Sequence, residues 1–219
     1  MRTKDANIES KTVMSIINTE GKRFLFNEQN PQESIHYQLP TTWEKSKTHQ
    51  IRFELLNTGN EYHSLVTNFS ITMQGKYTRL IRIERIQNEH WYVQYVAHCK
   101  NFKSRIEADT EKCLYHGCPE QAAISIINSC FNRSYAGANA YGVGVYFSSD
   151  ATYSHGYAKP NATGERHMFV ARVLVGRTVK GDKSMKTPPV GYDSTTDGNH
   201  IFVTYHDAQA YAEYLIVYT

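Results

Sequence analysis

Two glycine-bearing apolar stretches constrain this chain more than anything else in it. They are Cys113-Leu114-Tyr115-His116-Gly117-Cys118 and Tyr141-Gly142-Val143-Gly144-Val145-Tyr146-Phe147. Each reads as a short strand in which a missing Cβ lets a ligand or another backbone come close. Between them stands Pro119, where a first helical turn tolerates it. Ala123, Ile126, Ile127 and Cys130 then follow at the spacing of one buried helix face. Gly142 and Gly144 are not a Rossmann-type dinucleotide fingerprint, because no third glycine and helix follow them.

The flanking sequence mixes short strand patterns with a few helical ones. Residues 51–56 read as a strand. Thr58-Gly59-Asn60-Glu61 has the form of a capping box. Tyr62, Leu65, Val66, Phe69 and Met73 follow as a helical core face. Alternation over residues 80–84 predicts a half-buried strand, and Trp91, Tyr95, His98 and Phe102 predict a second helix face. Residues 169–175, 201–205 and 214–218 add further strands. Residues 1–36 are polar, with one hairpin pattern, 12–17 and 23–26 around a turn at 19–22. They read as an arm or the tail of an upstream module, and residues 37–219 as the main domain. Many short strands with two or three helices early in the chain make an α+β fold.

Length and composition limit the classes. The 219 residues are enough for one sizeable core. No apolar run of about 18 residues reads as a membrane span, and no apolar segment near Met1 reads as a secretory signal. Cys99, Cys113, Cys118 and Cys130 form no Cys-x-x-Cys pair or zinc-type spacing, so no metal is expected and reduced intracellular thiols are. A net charge of +3 without a Lys/Arg run gives no indication of nucleic acid as a partner.

In order along the chain, Leu114-Tyr115-His116-Gly117, the 141–147 stretch and His200-Ile201-Phe202-Val203 resemble the cleft strands of the diphtheria-toxin-like ADP-ribosyltransferases. That family includes the poly- and mono-ADP-ribosyl "polymerases", and the likeness is strongest to the macrodomain-associated members. It runs from about residue 37 to the C-terminus. It implies two roughly orthogonal antiparallel β-sheets with flanking helices enclosing a cleft for NAD, which is a co-substrate. His116, Tyr146 and Ile201 would occupy the three catalytic positions. His116 would hold the hydroxyls of the adenine-side ribose, and the Gly117 backbone the nicotinamide carboxamide. Ser154 would donate to the nicotinamide carbonyl, with Tyr146 and Tyr157 stacked on the two faces of the ring. Arg133 lies in the donor-loop region, either neutralising pyrophosphate or on a solvated surface.

The departures from the family pattern carry as much information. Cys118 stands for the usual Ser/Thr, Val143 for a lysine, and Cys130 for a glycine before Phe131-Asn132. Cys130 must therefore adopt a left-handed conformation or the helix must exit differently. Ile201 replaces the glutamate of the polymer-forming members, and an aliphatic side chain neither stabilises positive charge nor activates a hydroxyl. His200 and Glu213 do not align with that glutamate, and Glu213 reads as a surface turn. The resemblance thus implies an intracellular protein mono-ADP-ribosyltransferase, cytoplasmic or nuclear, acting on Glu/Asp side chains of protein acceptors, itself included. A nucleic-acid acceptor is compatible but not indicated, and a catalytically silent NAD- or ADP-ribose-binding module is the rival.

Overall fold

The computed structural model describes residues 14–17, 23–26, 35–46, 51–106, 108–137 and 139–219. The chain forms two compact units, Met1–Trp43 and Glu44–Thr219. In the first, β1 (Met14–Ile17), β2 (Arg23–Phe26) and β3 (Ile35–Tyr37) pair antiparallel in that order. The β1–β2 pairing is the hairpin read from sequence, whose turn lies outside the described residues. The division placed after residue 36 falls inside β3.

The second unit opens with β4 (Arg52–Glu54), α1 (Asn60–Met73), β5 (Leu80–Ile86) and α2 (Glu89–Arg105). Next come β6 (Glu111–Cys118), α3 (Glu120–Asn128), β7 (Val145–Ser148) and α4 (Ala151–His155). β8 (Arg166–Leu174), β9 (Thr178–Lys180), β10 (Ser194–Thr196), β11 (Ile201–Thr204) and β12 (Ala210–Tyr218) complete it. These nine strands form one sheet ordered β4-β5-β12-β8-β6-β7-β11-β10-β9. The fold is α+β as expected, and its strands fall into two stretches, β4-β5-β12-β8-β6 and β7-β11-β10-β9. A single residue pair, Tyr115 opposite Ser148, joins β6 to β7, and β9 runs parallel to β10.

The core sits on both faces of the central strands. Phe169, Ala171 and Val173 of β8 join Leu215 and Val217 of β12 in one cluster, while Met168, Val170, Ile216 and Tyr218 enter the other. Because side chains alternate with period two, a strand covered on both faces is apolar almost throughout. Phe69 and Met73 of α1 are buried in the second cluster, with Tyr62, Leu65 and Val66 packed against it. Among the described residues no helix is long and apolar enough to cross a membrane.

Several local readings are corrected. Gly59, not Thr58, caps α1, and no side chain closes a capping box. Glu61 instead accepts from Arg85 and, at 2.5 Å, from the Tyr214 hydroxyl. Buried ion pairing also changes β5. Its charged residues Glu84 and Arg85 are both buried, because Arg52 and Arg82 bond Glu84 and Glu61 bonds Arg85. On α2 the buried aromatics are Tyr92, Tyr95 and Phe102, so Tyr92 takes the place expected for Trp91. Glu213 is no surface turn. It is the extra residue of a bulge within β12, half-buried near Arg172, and burial pushes its carboxyl up to about 7.

Candidate active site

Pro119 caps α3, and its carbonyl accepts the Ala123 N–H at 3.0 Å. Ala123 and Ile127 anchor the helix in the core, which turns Gln121, Ala122 and Ser125 toward a cleft. Past Asn128 the chain leaves through Ser129 at φ −114°, and the Asn132 N–H bonds the Cys130 carbonyl at 2.9 Å. Cys130 therefore needs no left-handed conformation. A 3-10 turn, Arg133–Tyr135, and the loop after it complete this wall. The opposite wall is the end of β6, β7 and α4. Asp150 starts α4 by accepting the Thr152 N–H at 2.8 Å.

The enclosed volume is about 860 Å³ and is lined by His116, Gly117, Phe131, Tyr146, Ser154 and Tyr157 among others. That is ample for a drug-sized or nucleotide ligand. Among the described residues lining it there is no Asp, Glu, Lys or Arg.

His116 Nδ1 lies 2.8 Å from the Tyr146 carbonyl oxygen. A carbonyl only accepts, so Nδ1 carries the proton. Burial lowers the histidine pKa, although the Tyr146 bond opposes this, and the ring is held neutral with Nε2 as its lone pair. Phe131 at 5.2 Å and Phe147 at 5.5 Å fix the ring plane. Tyr146 in turn is tied by its hydroxyl, which accepts from the Tyr141 N–H and donates to the Gly142 carbonyl, both at 2.9 Å. Its aromatic face, not its oxygen, is what the cleft can use.

Gly117 is required by the protein before any ligand. A Cβ there would overlap the Ser154 carbonyl oxygen and stand 3.1 Å from the Ala158 nitrogen. The strand and α4 meet backbone to backbone at this point. Ser154 is buried, and its hydroxyl donates to the Tyr115 carbonyl at 3.1 Å. Donation to a nicotinamide carbonyl therefore requires that hydroxyl to rotate. Tyr157 is exposed, and its ring lies 5.5 Å from Tyr153, with the two hydroxyls 3.1 Å apart.

Two of the expected positions do not line the cleft. Arg133 donates its N–H to Asp207 and Nη1 to the Tyr205 carbonyl, both at 2.9 Å, and so fastens the 3-10 turn to the segment after β11. Ile201 is buried with Val203 and Tyr205, packed under Tyr141, Tyr146 and Tyr153. It supports the cleft tyrosines from behind. Cys118 is also buried, and its thiol is pushed up to about 12 by desolvation.

Sequence reasoning missed Tyr153 and Asp197. Tyr153 lines the cleft and meets His200 edge to face at 5.1 Å. Asp197 Oδ1 accepts the N–H groups of Asn199, His200 and Ile201 at 2.9–3.0 Å, which sets the entry into β11. The Asp197-Gly198-Asn199 run is a turn signal that could have revealed this.

Residues 59–200 match the poly(ADP-ribose) polymerase catalytic domain. The chain is 36% identical over 197 residues to protein mono-ADP-ribosyltransferase PARP14 of Homo sapiens, covering 82% of this chain and 11% of that protein. It is 36% identical over 173 residues to protein mono-ADP-ribosyltransferase PARP10 of Mus musculus, covering 71% of this chain and 18% of that protein. With protein mono-ADP-ribosyltransferase PARP12 of Mus musculus the identity is 33% over 199 residues, covering 83% and 27%. The chain thus spans only a small part of each of these relatives. The matched segment contains α1 to β10 and every described residue lining the cleft, and the chain belongs to the poly(ADP-ribose) polymerase catalytic domain family.

Proposed function

We propose that residues 44–219 bind NAD in this cleft and transfer a single ADP-ribose unit to a carboxylate side chain of a protein acceptor, itself included, releasing nicotinamide. The observation that carries the reading is the absence of any acidic side chain among the described cleft residues, with Ile201 buried where a glutamate would serve elongation. The names of the relatives, mono-ADP-ribosyltransferases, support it.

The chain's own groups divide the work. Tyr157 offers a solvent-facing ring for nicotinamide to stack on, and the Tyr146 face closes the other side. The Gly117 backbone sits where no side chain obstructs the carboxamide. Neutral His116 offers Nε2 to a ribose hydroxyl. Breakage of the glycosidic bond builds positive charge on the ribose. With no carboxylate on the cleft wall, the acceptor's own Glu or Asp supplies both the stabilising charge and the attacking oxygen. The four free thiols fit a reducing, intracellular setting.

The rival is a silent NAD- or ADP-ribose-binding module, favoured by the committed hydroxyl of Ser154. Nicotinamide release and protein-bound label, measured together from labelled NAD, separate the two. Transfer gives both in equal amounts, whereas a binding module gives neither while NAD still raises the melting temperature.

A further inference from the structure

Across β6 from β7, the start of α3 and the start of β8 bring Glu120, Glu165 and His167 together. One ligand atom from each lies within 4.8 Å of the other two. We propose that these residues form a binding site for a divalent transition-metal cation such as Zn²⁺, clamping the first turn of α3 to β8.

His167 is the fixed member. It is 3% exposed, paired with Cys118 on one side and Val217 on the other, so its ring cannot leave. Its Nδ1 is buried without a hydrogen-bond partner, and its Nε2 stands 3.9 Å from Glu120 Oε1, too far for a hydrogen bond. A buried imidazole with unused polar atoms, facing two carboxylates, is uncommon in a native core.

The glutamates are the adjustable members. Zinc holds carboxylate oxygen and imidazole nitrogen at about 2.0–2.2 Å, so tetrahedral ligands stand roughly 3.5 Å apart. Closing from the present spacing needs about an ångström of side-chain rotation. Glu120, on the first turn of α3, has its side chain 47% exposed, and Glu165, just before β8, is 24% exposed and held by a long 3.5 Å bond that Asn161 Nδ2 donates, so both can make it. Arg82 is the competing cation, 3.9 Å from Glu165, but its Nε is bonded to Glu84 at 2.8 Å. Two carboxylates and one imidazole leave the fourth position to water. None of the three residues lines the cleft, yet Gln121 and Ala122, directly after Glu120, do. A bound ion would therefore stiffen the cleft wall without touching the reacting groups.

The test uses the whole chain, stripped with a chelator and titrated with Zn²⁺ by equilibrium dialysis, then with Co²⁺ by absorption. One ion per chain is expected, with a raised melting temperature and a Co²⁺ spectrum lacking a thiolate charge-transfer band. Glu120→Gln and Glu165→Gln should each weaken binding at least tenfold while leaving the metal-free melting temperature in place. No saturable binding, an affinity unchanged from the parent in either variant, or a thiolate band pointing to the cysteines would each overturn the site.

Discussion

The Nδ1–H of His116 donates to the Tyr146 carbonyl at 2.8 Å, so β6 and β7 are stitched together at the cleft, with Gly142 and Gly144 in the turn before β7. That bond dictates which ring nitrogen a ligand meets. With its pKa lowered by burial, His116 presents an acceptor through neutral pH. Below its ordinary value of 6.5 the unfolded chain takes up a proton that the folded ring refuses. The stability is therefore present above 6.5 and lost as pH falls through the lowered folded value. NAD affinity should be flat from pH 8 down past 6.5 and fall only as pH approaches the lowered value of the folded ring. His116→Phe keeps the packing but removes the acceptor, which should cost about 1 kcal/mol of NAD binding and abolish the acid-side fall. Titration calorimetry across pH reads both. An unchanged profile in the variant would assign the pH dependence elsewhere.

Gly117→Ala should destabilise the fold, by about 1–3 kcal/mol or more, because the new Cβ overlaps backbone that cannot rotate away. Urea unfolding measures this. A variant as stable as the parent would mean that strand and helix separate more easily than their packing implies.

Tyr157 stands 55% exposed, so Tyr157→Ala should leave the melting temperature nearly unmoved. Its effect should fall on ligand binding, with a benzamide bound about 1–2 kcal/mol more weakly. Calorimetry of benzamide binding, run beside thermal unfolding, reads the two separately. Equal loss of both would reduce Tyr157 to a packing residue.

Glu61 ties α1 to β5 and β12 through Arg85 and Tyr214. Burial raises its pKa, but the bonds from Arg85 and Tyr214 prevail and hold it below 4.5. Its contribution is present above 4.5 and lost as pH falls through the lowered value. Glu61→Gln leaves the buried Arg85 with the more exposed Glu44, 3.6 Å away, as its remaining counter-charge and should cost about 1–3 kcal/mol at neutral pH. The variant should also lose less stability than the parent between pH 5 and 3, roughly spanning the carboxylate range. Parallel acid-unfolding curves for the two proteins would contradict this.

The helix faces and the apolar strands were legible because burial there is apolar and periodic, as at Phe69, Met73, Phe169 and Ile216. β10 was not, since Ser194, Thr195 and Thr196 look like a polar turn. They are buried because their hydroxyls bond the carbonyls of Val175, Tyr141 and Ile201 at 2.6–2.7 Å. Glu84 misled for a related reason: charge expected on the open face of a half-buried strand is paired inside, by Arg52 and Arg82. In the site, residue types showed what could touch a ligand. Which atoms the protein already uses itself, such as the Ser154 hydroxyl and the Arg133 guanidinium, depends on contacts made across long stretches of chain.

Product length tests the central claim most directly. Elongation needs a base on the enzyme to activate a hydroxyl of the bound ADP-ribose, and the described cleft lining offers no carboxylate for it. The purified chain incubated with labelled NAD should give one sharp protein band, shifted by single ADP-ribose units and released by neutral hydroxylamine as expected for carboxylate esters. A ladder of growing polymer from the unmutated protein would contradict the account.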